Sequence, residues 1–224
     1  MLDVMPDRAT LAHVSALRAV PAAATPEESL LTLSEIGVAW CAELHCFAEP
    51  ATSERQAFED RFGVPLPAPR KAALADGRAI FSIGPRRWLL ITAARFDHGA
   101  PPLWPEDTGA IISQTQGRVL VLLAGPGSRN VLAKGTSLDV RPEEFAVGQC
   151  AVTAFAHVAV AVVRAGEDAY LLTVPRSYAH WLWDWIAFSA REHQPRVLPM
   201  QPLQTLKVGV SVEQETGKHP ALHP

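Results

Sequence analysis

Residues 149–175 read QCAVTAFAHVAVAVVRAGEDAYLLTVP, and this stretch decides the class of fold. It contains three apolar segments, at residues 149–156, 158–164 and 169–174, which are separated by short turns. Such a pattern predicts three consecutive antiparallel strands that end at Pro175. Residues 176–192 then have the composition of a helix, and Pro195 follows its predicted end.

The residues before this stretch predict the same mixture of strands and helices. Ser53 and Gln56 have the spacing of a capping box, so a helix is expected from Ser53 to Phe62, where Gly63 ends it. Further elements are strands at residues 38–47, 77–84, 88–92, 109–114 and 118–123 and a short helix at 129–134. This order favours an α+β fold of antiparallel or mixed sheets, with helices packed on one face.

The chain divides into four segments by composition. Residues 1–35 are expected to form an N-terminal arm, and residues 36–108 a first α+β subdomain that ends in a proline-rich loop. Residues 109–194 are expected to form a second α+β subdomain. Residues 195–224 become polar and are expected to be a tail that is flexible or bound to a partner, although residues 207–212 also fit a strand.

Composition excludes several classes of function. With 20 Lys and Arg against 23 Asp and Glu, the net charge of −3 disfavours nucleic acid and anionic membrane surfaces. We find no apolar run long enough for a membrane span and no signal peptide, and three cysteines then indicate reduced thiols in a cytoplasm. Charged residues make up 19% of the 224 residues, against about 25% in typical soluble domains. The chain also contains six Trp residues. This combination suggests a surface that meets a partner.

A glycine-rich turn, GPGSRN at residues 125–130, lies where a dinucleotide fingerprint would lie, between a strand and a helix. Asn130 replaces the third glycine, and Pro126 occupies the middle of the turn. The run Lys134-Gly-Thr136 has the wrong order for a phosphate-binding loop. The motif therefore indicates a tight strand-to-helix turn rather than a cofactor site.

Three potential metal ligands, Cys41, His45 and Cys46, lie close together in a predicted strand. Zinc sites need four ligands, and no second pair follows, so we expect buried thiols and a partly exposed imidazole. No Gly-x-Ser-x-Gly elbow is present for acyl transfer. The sequence therefore assigns no catalytic, cofactor-binding or metal-binding residue.

The predicted C-terminal helix has two apolar sides. Trp181, Trp185 and Phe188 form one stripe, and Trp183 points about 160° away from Trp181. We expect the stripe with Trp185 to pack on the sheet and Trp183 to face outward, where a partner, the arm or the tail would cover it. The candidate interface residues are Arg176, Tyr178, Trp181 and Trp183.

Four segments of the chain resemble one known family. They are residues 83–90, 117–139, 145–157 and 174–185, including Val131-Leu-Ala-Lys-Gly135 and Val174-Pro-Arg-Ser-Tyr178. Together they resemble the gamma subunit of heterotetrameric sarcosine oxidase, over about residues 35–192. The resemblance implies a reduced form of the folate-binding aminomethyltransferase fold of the glycine cleavage system.

The resemblance also implies a function. Such a complex contains alpha, beta, gamma and delta chains and oxidatively demethylates sarcosine with O2 and tetrahydrofolate, giving glycine, 5,10-methylenetetrahydrofolate and hydrogen peroxide. FAD, FMN and NAD belong to the alpha and beta chains and zinc to delta, whereas the gamma chain has no catalytic residue. Three alternatives stay open: a related N-methyl or secondary amino acid oxidase or dehydrogenase, a free-standing folate-binding module, and a homo-oligomeric scaffold.

Overall fold

The computed structural model describes Ser15, Leu17 and residues 31–95 and 107–206. In chain order the described elements are β1 (Thr32–Gly37), β2 (Trp40–Cys46), α1 (Thr52–Phe62), β3 (Ala72–Ala75), β4 (Arg78–Gly84), β5 (Arg87–Thr92), β6 (Gly109–Ser113), β7 (Arg118–Ala124), α2 (Ser128–Gly135), β8 (Cys150–Phe155), β9 (Val158–Gly166), β10 (Ala169–Pro175), α3 (Ala179–Ala190), β11 (Arg196–Val197) and β12 (Gln201–Pro202). Short 3-10 turns lie at Arg176–Tyr178, Arg191–His193 and Leu203–Thr205.

The described strands form two sheets. The first has the order β3-β4-β5-β2-β6 and is antiparallel throughout. The second has the order β11-β1-β7-β10-β9-β8, with β12 also paired to β1. In the second sheet, β11 and β12 run parallel to β1 and the other pairs are antiparallel. The predicted α+β class with mixed sheets is therefore confirmed.

The meander predicted from residues 149–175 is present as β8, β9 and β10. Its first turn is a two-residue hairpin in which Ala156 and His157 both have positive φ, 42° and 76°. A turn of this kind matches the twist of the flanking strands. The predicted hairpin of β4 and β5 is also present, with Arg86 at φ 53° in its turn.

The two sheets pack face to face, and helices cover both outer faces. Phe81, Leu89 and Leu171 contribute to the core between the sheets. The helix α1 covers the first sheet, whereas α2 and α3 cover the second. Each sheet therefore has helices on one face only, as expected, and its other face packs on the other sheet. Consecutive residues from Trp88 to Ile91 are all buried, because alternate side chains of β5 enter different cores.

The predicted segment boundaries do not coincide with the sheets. β1 begins inside the predicted arm and joins the second sheet, while β6 begins the predicted second subdomain but pairs with β2 in the first sheet. Part of the predicted tail, β11 and β12, pairs with β1. Residues 207–212, which fit a strand by sequence, lie outside the described residues. Within the predicted arm, Leu17 is buried in the core under α2 and α3.

The start of α1 differs from the predicted capping box. The helix begins at Thr52, so Ser53 lies inside its first turn. The carboxylate of Glu54 accepts the backbone N–H of Ala51 at 2.7 Å, and Gln56 donates to Asp60 instead of reaching back to the cap. Gly63 ends the helix as expected, with φ 64°.

Candidate functional site

The inner face of α3 is the opposite of the predicted one. Five side chains at helical spacing are buried in the core over the second sheet: Ala179, Leu182, Trp183, Ile186 and Ala190. Trp183 is only 3% exposed, so its assignment to the surface is wrong. The small Ala179 and Ala190 extend this stripe along the whole helix.

Four aromatic residues line the outer face of α3 and of the 3-10 turn before it, and we call them the aromatic stripe: Tyr178, Trp181, Trp185 and Phe188. Tyr178, Trp181 and Phe188 are 48%, 39% and 63% exposed. Trp185 is half-buried rather than core, and its ring meets the edge of Phe155 with centroids 4.8 Å apart. The guanidinium of Arg191 lies 4.2 Å from the centre of the Phe188 ring. Two of the candidate interface residues, Tyr178 and Trp181, are thus on the surface.

Arg176, the fourth candidate, lies at the start of the same helical region and is half-buried. Its backbone N–H donates to the carbonyl of Gly117 at 2.9 Å. Its Nη1 atom is buried and has no hydrogen-bond partner among the residues that the structure describes.

The glycine turn before α2 serves packing. Gly125 and Gly127 have φ 110° and 90°, and a Cβ at position 127 would lie 2.8 Å from the His193 ring. The hydroxyl of the buried Ser128 donates to the carbonyl of Asp168. A pyrophosphate at this turn would meet the His193 ring, so these residues do not fit a dinucleotide. The turn is tight, as the sequence predicts.

The three cysteines are buried and free. Cys41 lies between the sheets and Cys46 under α1, on opposite faces of β2. The Sγ of Cys150 lies 3.2 Å from two carbonyl oxygens, those of Lys71 and Ser82. Burial raises the pKa of Cys41 to about 12 and the pKa values of Cys46 and Cys150 to about 11. The thiols are therefore protonated at neutral pH and are poor nucleophiles or metal ligands.

Sequence reasoning missed one polar cluster, around Glu43. This buried carboxylate of β2 accepts hydrogen bonds from Arg118 at 2.6 Å and Arg87 at 3.0 Å, and His45 Nε2 lies 3.2 Å away. Burial would raise the pKa of Glu43, but the hydrogen bonds from Arg118, His45 and Arg87 outweigh burial and lower it to about 2. The available signal was a single acidic residue in the mostly apolar strand WCAELHC at residues 40–46.

The Glu43 cluster is structural in its chemistry. A carboxylate with so low a pKa stays charged at neutral pH and does not donate a proton to a substrate. Because Arg118 belongs to β7 and Arg87 to β5, the cluster connects the two sheets. Within residues 31–95 and 107–206 no group of three or more His, Cys, Asp or Glu side chains is arranged to hold a metal ion. In the same part of the chain, no helix is long and apolar enough to cross a membrane.

The fold defines the class of protein first. It is similar to that of aminomethyltransferase T of the glycine cleavage system from Bartonella henselae, with a TM-score of 0.50 and 16% identity over 77% of this chain and 48% of that chain. It is also similar to a chain of heterotetrameric sarcosine oxidase from Corynebacterium sp. U-96, with a TM-score of 0.66 and 24% identity over 82% of this chain and 95% of that chain. The protein thus has an aminomethyltransferase-like fold.

Sequence comparison then places the chain in one family. The model of the sarcosine oxidase, gamma subunit family matches residues 47–192. The gamma subunit of sarcosine oxidase from Corynebacterium sp. strain U-96 is 31% identical over 195 residues, which are 83% of this chain and 93% of that protein. The gamma subunit from an Arthrobacter species is 26% identical over 156 residues, 66% of this chain and 76% of that protein. The chain belongs to the sarcosine oxidase gamma subunit family.

Proposed function

We propose that the chain acts as the gamma subunit of a heterotetrameric sarcosine oxidase, in which it holds other subunits and performs no catalysis itself. Membership of the family supports the assignment to this complex. The observation that carries the structural role is the aromatic stripe, where Trp181 and Phe188 are exposed one above the other on α3. Aromatic residues of this kind are enriched at the energetic centres of protein interfaces.

The partners in this proposal are the alpha, beta and delta subunits. FAD, FMN and NAD are held by alpha and beta and zinc by delta, and the gamma chain binds none of them. The poor fit of a pyrophosphate at the Gly127 turn, beneath the His193 ring, supports this division. The complex demethylates sarcosine oxidatively with O2 and tetrahydrofolate. Three free, buried thiols support a cytoplasmic location, where cysteines stay reduced.

Co-expression tests the proposal directly. The tagged chain is produced together with the alpha, beta and delta genes, and the affinity eluate is assayed for partner chains and for flavin absorbance. We expect a yellow complex with sarcosine oxidase activity. Recovery of the tagged chain alone, without a flavoprotein, would contradict the proposed function.

A pair of variants tests the role of the aromatic stripe. The double substitution of Trp181→Ala and Phe188→Ala should reduce the recovered flavoprotein by about ten-fold or more, as expected for interface aromatics. Phe47→Ala is the matched control, because Phe47 is an exposed aromatic residue that follows β2 in the first sheet. If the double variant and Phe47→Ala recover equal amounts of flavoprotein, the subunits assemble through a surface other than the aromatic stripe.

The aminomethyltransferase-like fold favours one second candidate, a folate-binding module. Titration of the isolated chain with tetrahydrofolate, followed by Trp fluorescence, separates the two functions. A saturable change in fluorescence would support the folate-binding module, and an unchanged spectrum the non-catalytic subunit.

A further inference from the structure

The strand β8 is the last strand of the second sheet, and its outer edge has a defined gap. The backbone N–H of Cys150 points away from β9 and donates to the carbonyl of Arg70 at 2.9 Å. The N–H of Ala156 also points outward and donates to the carbonyl of Gly135 at 2.7 Å. Because alternate residues of a strand point their amides the same way, the N–H and C=O groups of Val152 and the N–H of Ala154 also face outward. The carbonyl of Ala154 accepts the Thr153 hydroxyl at 3.3 Å.

Two single bridges limit this gap. Lys71 pairs with Gln149 at one end and Thr136 with Phe155 at the other. Among the residues that the structure describes, no strand pairs with β8 between them. The gap spans residues 151–154, or about 13 Å at 3.3 Å per residue. We call it the β8 gap.

Within residues 151–154 the edge of β8 carries none of the residues that usually block an edge strand. Sheet edges are commonly blocked by Lys, by Pro or by a bulge, which prevent pairing with another chain. Residues 151–154 read AVTA, with no charge and no proline. The register of β8 with β9 is regular over its whole length. Val152 is 53% exposed at this edge.

A cavity opens beside the β8 gap. Its volume is about 350 Å³, and its lining includes Ile83 and Pro85 at the end of β4, Cys150 and Val152. Arg70 also lines the cavity, and the positive charges of Arg70 and Lys71 act on the Cys150 thiol. The gap therefore combines unpaired backbone groups, an apolar recess and two cations.

We propose that a short extended segment of another subunit enters the β8 gap as an added strand. Its backbone pairs with the N–H and C=O of Val152 and with the N–H of Ala154, one apolar side chain fills the cavity, and a carboxylate faces Arg70 and Lys71. Addition of a strand to a sheet edge is a general mode of peptide recognition, with backbone bonds giving affinity and pockets giving specificity. This inference rests on the proposed function, since it takes the segment from a subunit of that complex.

The position of the β8 gap supports the proposal that the added segment comes from another subunit. β8 ends at Phe155, whose ring contacts Trp185 of the aromatic stripe. Gly135 borders both rings and Thr136 pairs with Phe155, so residues 135–136 separate the stripe from the β8 gap. One subunit that extends across this turn can occupy both. The two surfaces together form one continuous interface in this proposal.

Hydrogen exchange identifies the occupant. In the isolated full chain, the amides of Val152 and Ala154 should exchange quickly, and in the assembled complex they should be protected. Protection already present in the isolated chain would overturn the proposal. If that protection is independent of concentration, a segment of this chain covers the edge, and if it grows with concentration, a second copy does.

Substitutions test the contact itself. Val152→Pro removes an outward N–H without removing a bond to β9, and it should reduce the recovered flavoprotein by about ten-fold. Ser113→Pro is the matched control on the edge of the first sheet. Its N–H also points outward, because the neighbouring Gln114 donates inward to Cys41. The charge reversal Arg70→Glu with Lys71→Glu should weaken assembly as well.

The outcomes separate the two proposals. If the wild-type chain recovers no flavoprotein, the proposed function fails. If the wild-type chain recovers it and Val152→Pro recovers it equally well, only the β8 gap is excluded. If both proline variants lose the partner although each isolated chain stays folded by circular dichroism, the effect is not specific to the β8 gap, and the inference is overturned.

Discussion

The carboxylate of Glu43 in β2 accepts a 2.6 Å hydrogen bond from Nη2 of Arg118, which begins β7 in the other sheet. Arg87 of β5 binds the other carboxylate oxygen at 3.0 Å. The ion pair thus joins the two sheets beside the core that Phe81, Leu89 and Leu171 form between them. A buried charge network of this kind fixes how two layers are positioned, and removing one partner leaves the others without compensation.

Glu43→Gln should destabilise the fold. The substitution keeps the shape of the side chain but leaves Arg118 and Arg87 without a counter-ion, at a cost of roughly 3 kcal/mol. Urea unfolding followed by Trp fluorescence measures the change. Asp139→Asn is the control, because its pair with Arg141 is on the surface and its loss should not shift the midpoint measurably. Equal midpoints for both variants would contradict a buried, stabilising role for Glu43.

The same residue predicts a dependence of stability on pH. Its pKa is about 2 in the folded chain against 4.5 ordinarily, so between these values the unfolded chain binds the proton and the folded chain does not. Stability contributed by Glu43 is therefore present above pH 4.5 and is lost as the pH falls from 4.5 through about 2. Unfolding curves at several pH values should show a flatter profile for Glu43→Gln than for the wild type. Parallel profiles would mean that other carboxylates cause the acid sensitivity.

Trp183→Ala should lower the stability of the isolated chain, whereas Trp181→Ala should weaken assembly with the partner. Trp183 is in the core, so its truncation should cost roughly 3–5 kcal/mol of unfolding free energy. Trp181 lies on the outer face, so its truncation should change the isolated fold little and weaken assembly instead. Thermal melting of the isolated chains and recovery of the flavoprotein give the two readouts. A more severe loss of stability for Trp181→Ala would reverse the orientation of α3.

Gly127→Ala should destabilise the turn before α2. A Cβ there meets the His193 ring at 2.8 Å, and φ 90° is itself unfavourable for alanine. Together these effects should cost roughly 1–3 kcal/mol in unfolding free energy. The double variant with His193→Ala separates the two causes, because it relieves the clash but not the backbone strain. If the second substitution restores nothing, the His193 ring does not limit this site.

The elements predicted correctly from the sequence are those whose signals are local. The meander of β8 to β10 follows from short apolar runs and their turns, and the end of α1 follows from Gly63. A glycine that ends a helix and a two-residue hairpin turn depend only on the residues next to them, so a short window of sequence is enough to predict them.

The errors arise where the cause is distant in the chain. Trp183 and Trp181 are equally apolar, and only the shape of the sheet beneath decides which of them is buried. Glu43 reveals its role through Arg87 and Arg118, which lie 44 and 75 residues away along the chain. β1 likewise finds its place beside β7 and β11 through pairings that no local pattern encodes.

The order of strands in the second sheet has a consequence for how the chain folds during synthesis. All strands of the first sheet lie between residues 40 and 113, so it has its full set of strands soon after half of the chain is made. β1 is synthesised earlier but pairs with β7, where Thr32 meets Ala124, and with β11 and β12 at residues 196–202. β1 therefore cannot pair with β7, β11 or β12 until those strands have been synthesised, by which time the first sheet has all of its strands. Such long-range pairing slows folding, and the second sheet should be the last part of the nascent chain to become resistant to proteases.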